Sequence, residues 1–223
     1  MTKPEPPVHR YQITDYPELS KVWDLVRSLS IVPDDLDMDT YQQHIEQPKL
    51  VDTRAEIEAL PTAERIAYEY ATCEQDQRSP KTIHRPLRRL QDKNGVVKIG
   101  PGMDREPRKQ LKQLLAEFFG QPILESGNYL YPPGGFKEWH TNMASVPGWR
   151  MYIVNKSTEG KSFFRYVDPH SMTLQTVWDE TGQINIFRLA PDYPFWHAVA
   201  SIDAYRWSKG FVIPDNWRDR LIG

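Results

Sequence analysis

The chain has 223 residues, 39% of them hydrophobic and 26% charged, with a formal net charge of -2. That profile suits a globular protein with enough apolar material to bury a core, and it gives no general attraction to polyanions. No apolar run is long enough to cross a bilayer, the first ten residues lack a secretory apolar stretch, and the single Cys73 excludes an internal disulfide; a cytoplasmic location with no membrane partner is the expectation.

The N-terminal half reads as helical. In DYPELSKVWDLVRSL, Leu19, Val22, Trp23, Val26 and Leu29 recur at helical spacing, Pro17 sits near the first turn, and Asp15 with Glu18 has the pattern of a capping box. IVPDDLDMD reads as a loop, and a second helix is expected from Thr62 to about Thr72. The stretch from Arg78 to Lys112 is rich in Lys and Arg. Such a stripe can meet phosphates, but no aromatic residues are interleaved with the charges, which favours a solvated face docked on the acidic N-terminal segment. Asp104 to Phe119 is the best helix: Leu111, Leu114, Leu115, Phe118 and Phe119 form one stripe and Gly120 stops it.

After Gly120 the pattern changes to short β-branched and aromatic segments, at about 123–131, 136–142, 149–156, 161–168, 173–178, 183–190, 195–200 and 205–213. Turn signals such as Pro132-Pro133-Gly134-Gly135 and Thr181-Gly182 separate them at intervals suited to a jelly roll. Helices followed by about eight strands indicate an α+β fold, with a helical region at 1–120 packed on a β core at 121–223 as one structural unit.

Six histidines occur, and His9, His44, His84 and His170 read as packed or surface residues. His140 and Asn142 lie two apart in a predicted strand, so their side chains leave one face; His197 falls in another strand 57 residues on, followed by Arg206-Trp207-Ser208. This order of residues resembles the 2-oxoglutarate- and iron(II)-dependent oxygenase superfamily, with its His-x-Asp, distant His and Arg-x-Ser. Tyr129-Leu130-Tyr131 and the following Pro-Pro-Gly-Gly-Phe are similar to the strand and turn ahead of its first iron ligand. The resemblance covers about the last 100 residues. It implies a double-stranded β-helix, Fe(II) held by His140, Asn142 and His197, and 2-oxoglutarate as cosubstrate. By the same resemblance Arg206 clamps the far carboxylate, Ser208 hydrogen-bonds it, and Tyr131 or Tyr129 reaches the same molecule. Arg150 and Tyr152, two apart on the next strand, are candidates to face the site together.

The chemistry fits these residue types. Iron(II) with two histidines and an oxygen ligand keeps positions open for a keto acid and oxygen, and a guanidinium suits a carboxylate. Position 142 departs from the pattern by carrying Asn in place of Asp. Direct ligation by the amide oxygen is the favoured reading; the alternatives are a carboxylate from Asp168, Asp203 or Glu138, a metal held by two histidines alone, or an inactivating replacement. The expected activity is hydroxylation of a small molecule or protein side chain. Halogenation, a nucleic-acid-modifying dioxygenase such as a demethylase, and a catalytically inactive jelly-roll binding module are the alternatives. Substrate and oligomeric state are not legible.

Overall fold

The structure, a computed structural model, describes residues 5–34, 36, 38, 97–98, 105–140, 142, 146–158, 161–171, 173–190 and 195–222, with side chains except at 97, 98, 105, 138–140 and 174. The helix expected at 62–72 and most of the basic stretch lie outside these residues, as do His44 and His84. The described elements run β1 (Val8–Gln12), α1 (Ser20–Ser28), β2 (Val97–Lys98), α2 (Arg105–Phe119), β3 (Leu124–Tyr131), β4 (Phe136–His140), β5 (Gly148–Lys156), β6 (Ser162–Val167), β7 (Leu174–Trp178), β8 (Gln183–Leu189), β9 (His197–Ser201), β10 (Arg206–Ile213) and α3 (Arg218–Leu221). Among them no helix is long and apolar enough to cross a membrane.

The strands form two antiparallel sheets. One has the order β1-β8-β5-β10-β3-β2 and the other β4-β9-β6-β7. From β3 to β10 the chain supplies four strands to each sheet, which is the eight-strand, two-sheet arrangement of a jelly roll. With the helices laid on one sheet, the architecture is the α+β jelly roll that the strand pattern implied, and the double-stranded β-helix that the resemblance implied.

Residue parity explains the layers. On β8, Ile184 and Ile186 join Met151 and Ile153 of β5 and Phe211 and Ile213 of β10 in one core cluster; Val22 and Val26 of α1 and Leu111, Leu115 and Phe119 of α2 complete it. The alternate residues Asn185, Phe187, Tyr152, Arg206 and Ser208 point the other way and line an internal cavity. The six-stranded sheet is therefore buried on both faces, and the polar residues of β8 and β10, Asn185, Arg206 and Ser208 among them, are buried on the cavity side.

Two local expectations are refined. Helix α2 ends in a Schellman arrangement: Gly120 adopts φ 69°, its N–H donates to the Glu117 carbonyl at 3.3 Å and that of Gln121 to Ala116 at 3.1 Å. The capping box at Asp15 and Glu18 does not form, because Ile13–Asp15 and Pro17–Leu19 make separate 3₁₀ turns and α1 starts on Leu19 with no side-chain cap. The Leu19 N–H donates to the Tyr16 carbonyl at 2.9 Å, so the turn supplies the backbone partner. At the other end of α1, the buried Lys209 ammonium of β10 donates to the Leu29 carbonyl at 3.2 Å and to Asn128 Oδ1 at 3.0 Å, fixing the helix to the sheet.

Gly210 makes room for the cavity. A Cβ built there lies 2.4 Å from Tyr152 Cε1 and 2.8 Å from Ser126 Oγ, so any larger residue drives the Tyr152 ring out of place. Gly210→Ala is expected to destabilise the protein by about 1–3 kcal/mol, the usual range for overpacking; urea unfolding measures it, and an unchanged midpoint contradicts it.

Candidate active site

Between the two sheets lies a narrow pocket. Tyr129, Tyr131, Tyr152, Arg206, Ser208 and Asn185 line it from the six-stranded sheet, and Lys137, Phe164, His197 and Val199 from the four-stranded one. The structure therefore gathers Tyr129, Tyr131, Tyr152, Arg206, Ser208 and His197, scattered over some 80 residues of sequence, around one space.

His197 opens β9 and is 3% exposed. Its Nδ1 lies 2.8 Å from the Phe195 carbonyl oxygen. A carbonyl can only accept, so Nδ1 carries the proton and Nε2 presents its lone pair. The rings of Phe164, Phe187 and Phe195 surround it at centroid distances of 5.7, 5.1 and 5.4 Å. Burial among them lowers its pKa to about 3, helped by the Lys137 charge and opposed by the Phe195 hydrogen bond, so the imidazole is neutral at pH 7. A neutral imidazole with its far nitrogen pinned by a carbonyl is the form that ligates metals.

Asn142 Nδ2 lies 3.1 Å from His197 Nε2. The residue adopts φ 56°, a left-handed conformation that Asn tolerates better than most residues, and this turns its carboxamide toward β9 after β4 has ended. A half-turn of the carboxamide exchanges Nδ2 for Oδ1 at the same place.

Position 140 is reached through a bulge. Phe136 pairs with Ala200, Lys137 with Val199 and His140 with His197, so three steps on β4 match two on β9. The extra residue changes the parity: Lys137 and position 140 both oppose cavity-lining residues, although residues three apart on a regular strand face opposite ways. Strand parity in the sequence paired Glu138 with His140 and left Lys137 unnoticed. Lys137 is instead a cavity residue, 5% exposed, with Nζ 5.3 Å from the centre of the Tyr129 ring. A lysine three residues before the histidine was the available signal, but only the bulge gives it meaning.

Arg206 is 1% exposed and forms a two-pronged ion pair with Asp179, Nε to Oδ2 at 2.7 Å and Nη2 to Oδ1 at 3.2 Å. Burial opposes its charge, but Asp179, with Tyr131 and Tyr152, more than offsets this and holds its pKa above the ordinary arginine value. Nη1 has no hydrogen-bond partner among the described residues, and the guanidinium lies 5.2 Å over the Tyr131 ring. The fork expected to clamp a ligand thus closes on Asp179 and leaves one nitrogen to the cavity.

Other candidates are placed elsewhere. Asp168 Oδ1 accepts the backbone N–H groups of His170 and Ser171 in a turn, and Asp203 pairs with the exposed Lys161 at 2.7 Å, so neither replaces Asn142. Arg150 does not share the cavity with Tyr152; it donates to the Val146 carbonyl and holds the loop before β5. His9 packs against Trp217 and Trp149 at ring-centroid distances of 5.0 and 5.8 Å, and His170 is exposed. Of the basic stretch, Arg108 pairs with Glu125 and Lys109 with Glu106. Among the described residues no group of three His, Cys, Asp or Glu side chains could hold a metal, so a site here needs the Asn142 amide or the position of His140.

Asp179→Asn leaves the Arg206 charge buried without its counterion. A loss of about 3–5 kcal/mol of stability is expected from denaturant unfolding, and a change below about 1 kcal/mol contradicts this reading of the pair.

No protein-family model matches the chain, and no curated protein is similar to it. Similar solved structures include a prolyl-4-hydroxylase from Pseudomonas putida, 15% identical over 93% of this chain and 92% of that one, with a TM-score of 0.42. A prolyl hydroxylase in complex with a hypoxia inducible factor peptide fragment, from Trichoplax adhaerens, is 12% identical over 72% of this chain and 81% of its own, TM-score 0.39. An oxidoreductase of the 2OG-Fe(II) oxygenase family from Burkholderia pseudomallei is 13% identical over 51% and 52%, TM-score 0.34.

Proposed function

We propose that the chain is a non-haem iron(II), 2-oxoglutarate-dependent oxygenase that hydroxylates a small molecule or a protein side chain. The observation that carries this is His197: a neutral imidazole, Nδ1 bound to the Phe195 carbonyl and Nε2 facing the Asn142 carboxamide, opposite His140 in register and at the wall of a cavity containing buried cations.

The donor set fits an iron(II) centre. Directly opposed residues of an antiparallel pair lie close together on one face, which suits His140 and His197 as joint ligands, and Asn142 adds a neutral oxygen after its carboxamide turns. When bound, iron and the keto acid would supply the oxidising chemistry, coupling oxygen-dependent decarboxylation of 2-oxoglutarate to substrate oxidation and releasing succinate. The protein's own part is positioning and shielding. Phe164, Phe187 and Phe195 keep water from the imidazole, Phe195 fixes its tautomer, and Tyr131 and Tyr152 hold Arg206 at the cavity wall. Because Asn142 is neutral, the site is one charge more positive than with aspartate, which weakens metal binding and favours anionic ligands.

Purified protein with iron(II), 2-oxoglutarate and oxygen is expected to form succinate as it consumes oxygen, and His197→Ala to abolish this together with the metal-dependent rise in Tm. Absence of both succinate and any Tm shift in the wild type contradicts the proposal. Asn142→Asp supplies the missing charge and is expected to tighten manganese(II) binding in a calorimetric titration; weaker binding argues against position 142 as a ligand.

A further inference from the structure

The turn between β7 and β8 orients polar groups of the pocket from outside it. Its first residue, Asp179, holds Arg206 as described, and the next residue starts a separate chain of hydrogen bonds. The Glu180 backbone N–H donates to Gln183 Oε1 at 2.9 Å, and Gln183 Nε2 donates to Asn185 Oδ1 at 2.7 Å. A backbone N–H can only donate, so Gln183 must give its oxygen to Glu180 and its amide nitrogen to Asn185. Asn185 must then accept through Oδ1, which leaves Nδ2 as the donor at the pocket wall. One main-chain group thus sets the polarity of two carboxamides. The turn that carries it is steadied on both sides: the Gln183 N–H donates back to the Glu180 carbonyl at 3.1 Å, and Gln12 Nε2 of β1 donates to Glu180 Oε2 at 2.6 Å. Gln183 and Asn185 are both buried, and Nδ2 has no hydrogen-bond partner among the described residues. A buried donor left unpaired is costly, so the position calls for an acceptor that a ligand would bring.

We infer that Gln183, itself outside the pocket, is a positioning residue: it locks the Asn185 carboxamide as a hydrogen-bond donor, and that donor binds an oxygen of the keto acid. The inference rests on the oxygenase reading and adds to it a residue that acts only through another. The lock matters because a half-turn of a carboxamide exchanges donor for acceptor at the same place. Without Gln183, Asn185 can present Oδ1 to the pocket, and an oxygen facing a carbonyl or carboxylate oxygen repels it. The surroundings hold the carboxamide in place but do not choose its polarity. Asn185 lies opposite Tyr152 in register, and the Tyr152 ring is fixed by stacking on Phe187 at 5.6 Å and by the space that Gly210 leaves for it. Neither ring distinguishes oxygen from nitrogen, so the choice falls to Gln183.

The test is a double-mutant cycle read by calorimetric binding of 2-oxoglutarate to the manganese(II)-loaded full chain. Gln183→Glu still accepts from the Glu180 N–H, but its carboxylate has no donor for Asn185, whose carboxamide then turns Oδ1 toward the pocket. Gln183→Glu and Asn185→Leu are each expected to weaken 2-oxoglutarate about 10-fold, the size of one lost hydrogen bond to a charged ligand, with manganese(II) affinity kept within about threefold. The double variant Gln183→Glu/Asn185→Leu is expected to bind no more weakly than Asn185→Leu alone, since nothing is left to orient; a merely structural or long-range electrostatic effect of position 183 would instead add to the loss. Gln183→Met, which removes the lock without adding charge, takes the place of Gln183→Glu if that variant does not fold, with the same non-additivity expected. Unchanged 2-oxoglutarate affinity in the position-183 variant, or losses that add in the double variant, overturns the role of Gln183 and leaves the oxygenase reading standing. A wild-type protein that binds manganese(II) but not 2-oxoglutarate overturns both.

Discussion

The hydrogen bond from His197 Nδ1 to the Phe195 carbonyl governs the site. It decides which ring nitrogen carries the proton, and the three phenylalanines around the imidazole keep it uncharged. A buried histidine that is neutral, held in one tautomer and aimed at a polar partner is a prepared ligand. Had Nδ1 faced the cavity instead, the same residues would make an ordinary packed histidine. Because β9 pairs with β4 on one side and β6 on the other, both the Asn142 carboxamide and the aromatic wall of Phe164 reach His197 from neighbouring strands.

Charge within the cavity follows from two local irregularities. The β4 bulge sets Lys137 and position 140 both opposite cavity-lining residues of β9, and the Arg206 guanidinium closes on the Asp179 carboxylate. Buried ion pairs contribute little to stability when weighed against apolar replacements, yet removing one partner is costly, so Asp179 constrains the site strongly without making the fold stronger.

Much of the fold was legible in the sequence because most strands are bounded by strong turn signals. The segments at 149–156, 161–168, 183–190 and 205–213 match β5, β6, β8 and β10 to within a residue or two. The strand β1 was missed: VHRYQ is short and polar in part, and it becomes a strand by pairing with β8 at the sheet edge, a long-range contact that no local pattern encodes. The capping-box reading at Asp15 failed because Pro17 starts its own turn. For the site, residues two apart on regular strands, such as Arg206 and Ser208, were readable by parity. Lys137 was not, since a bulge has no reliable local signature, and Asp179 was not, since its partner lies 27 residues away on another sheet. The same parity rule that grouped Arg206 with Ser208 misplaced Arg150 beside Tyr152, where the capture of the Val146 carbonyl takes the guanidinium out of the cavity.

The account stands on His140 and His197 sharing one metal ion. Electron spin-echo spectroscopy of the copper(II)-loaded protein counts coordinated imidazoles directly, from the modulation by their remote nitrogens. The result expected is two equivalent imidazoles in the wild type and one in His197→Gln; a wild-type spectrum with no imidazole modulation, or one that His197→Gln leaves unaltered, contradicts the account.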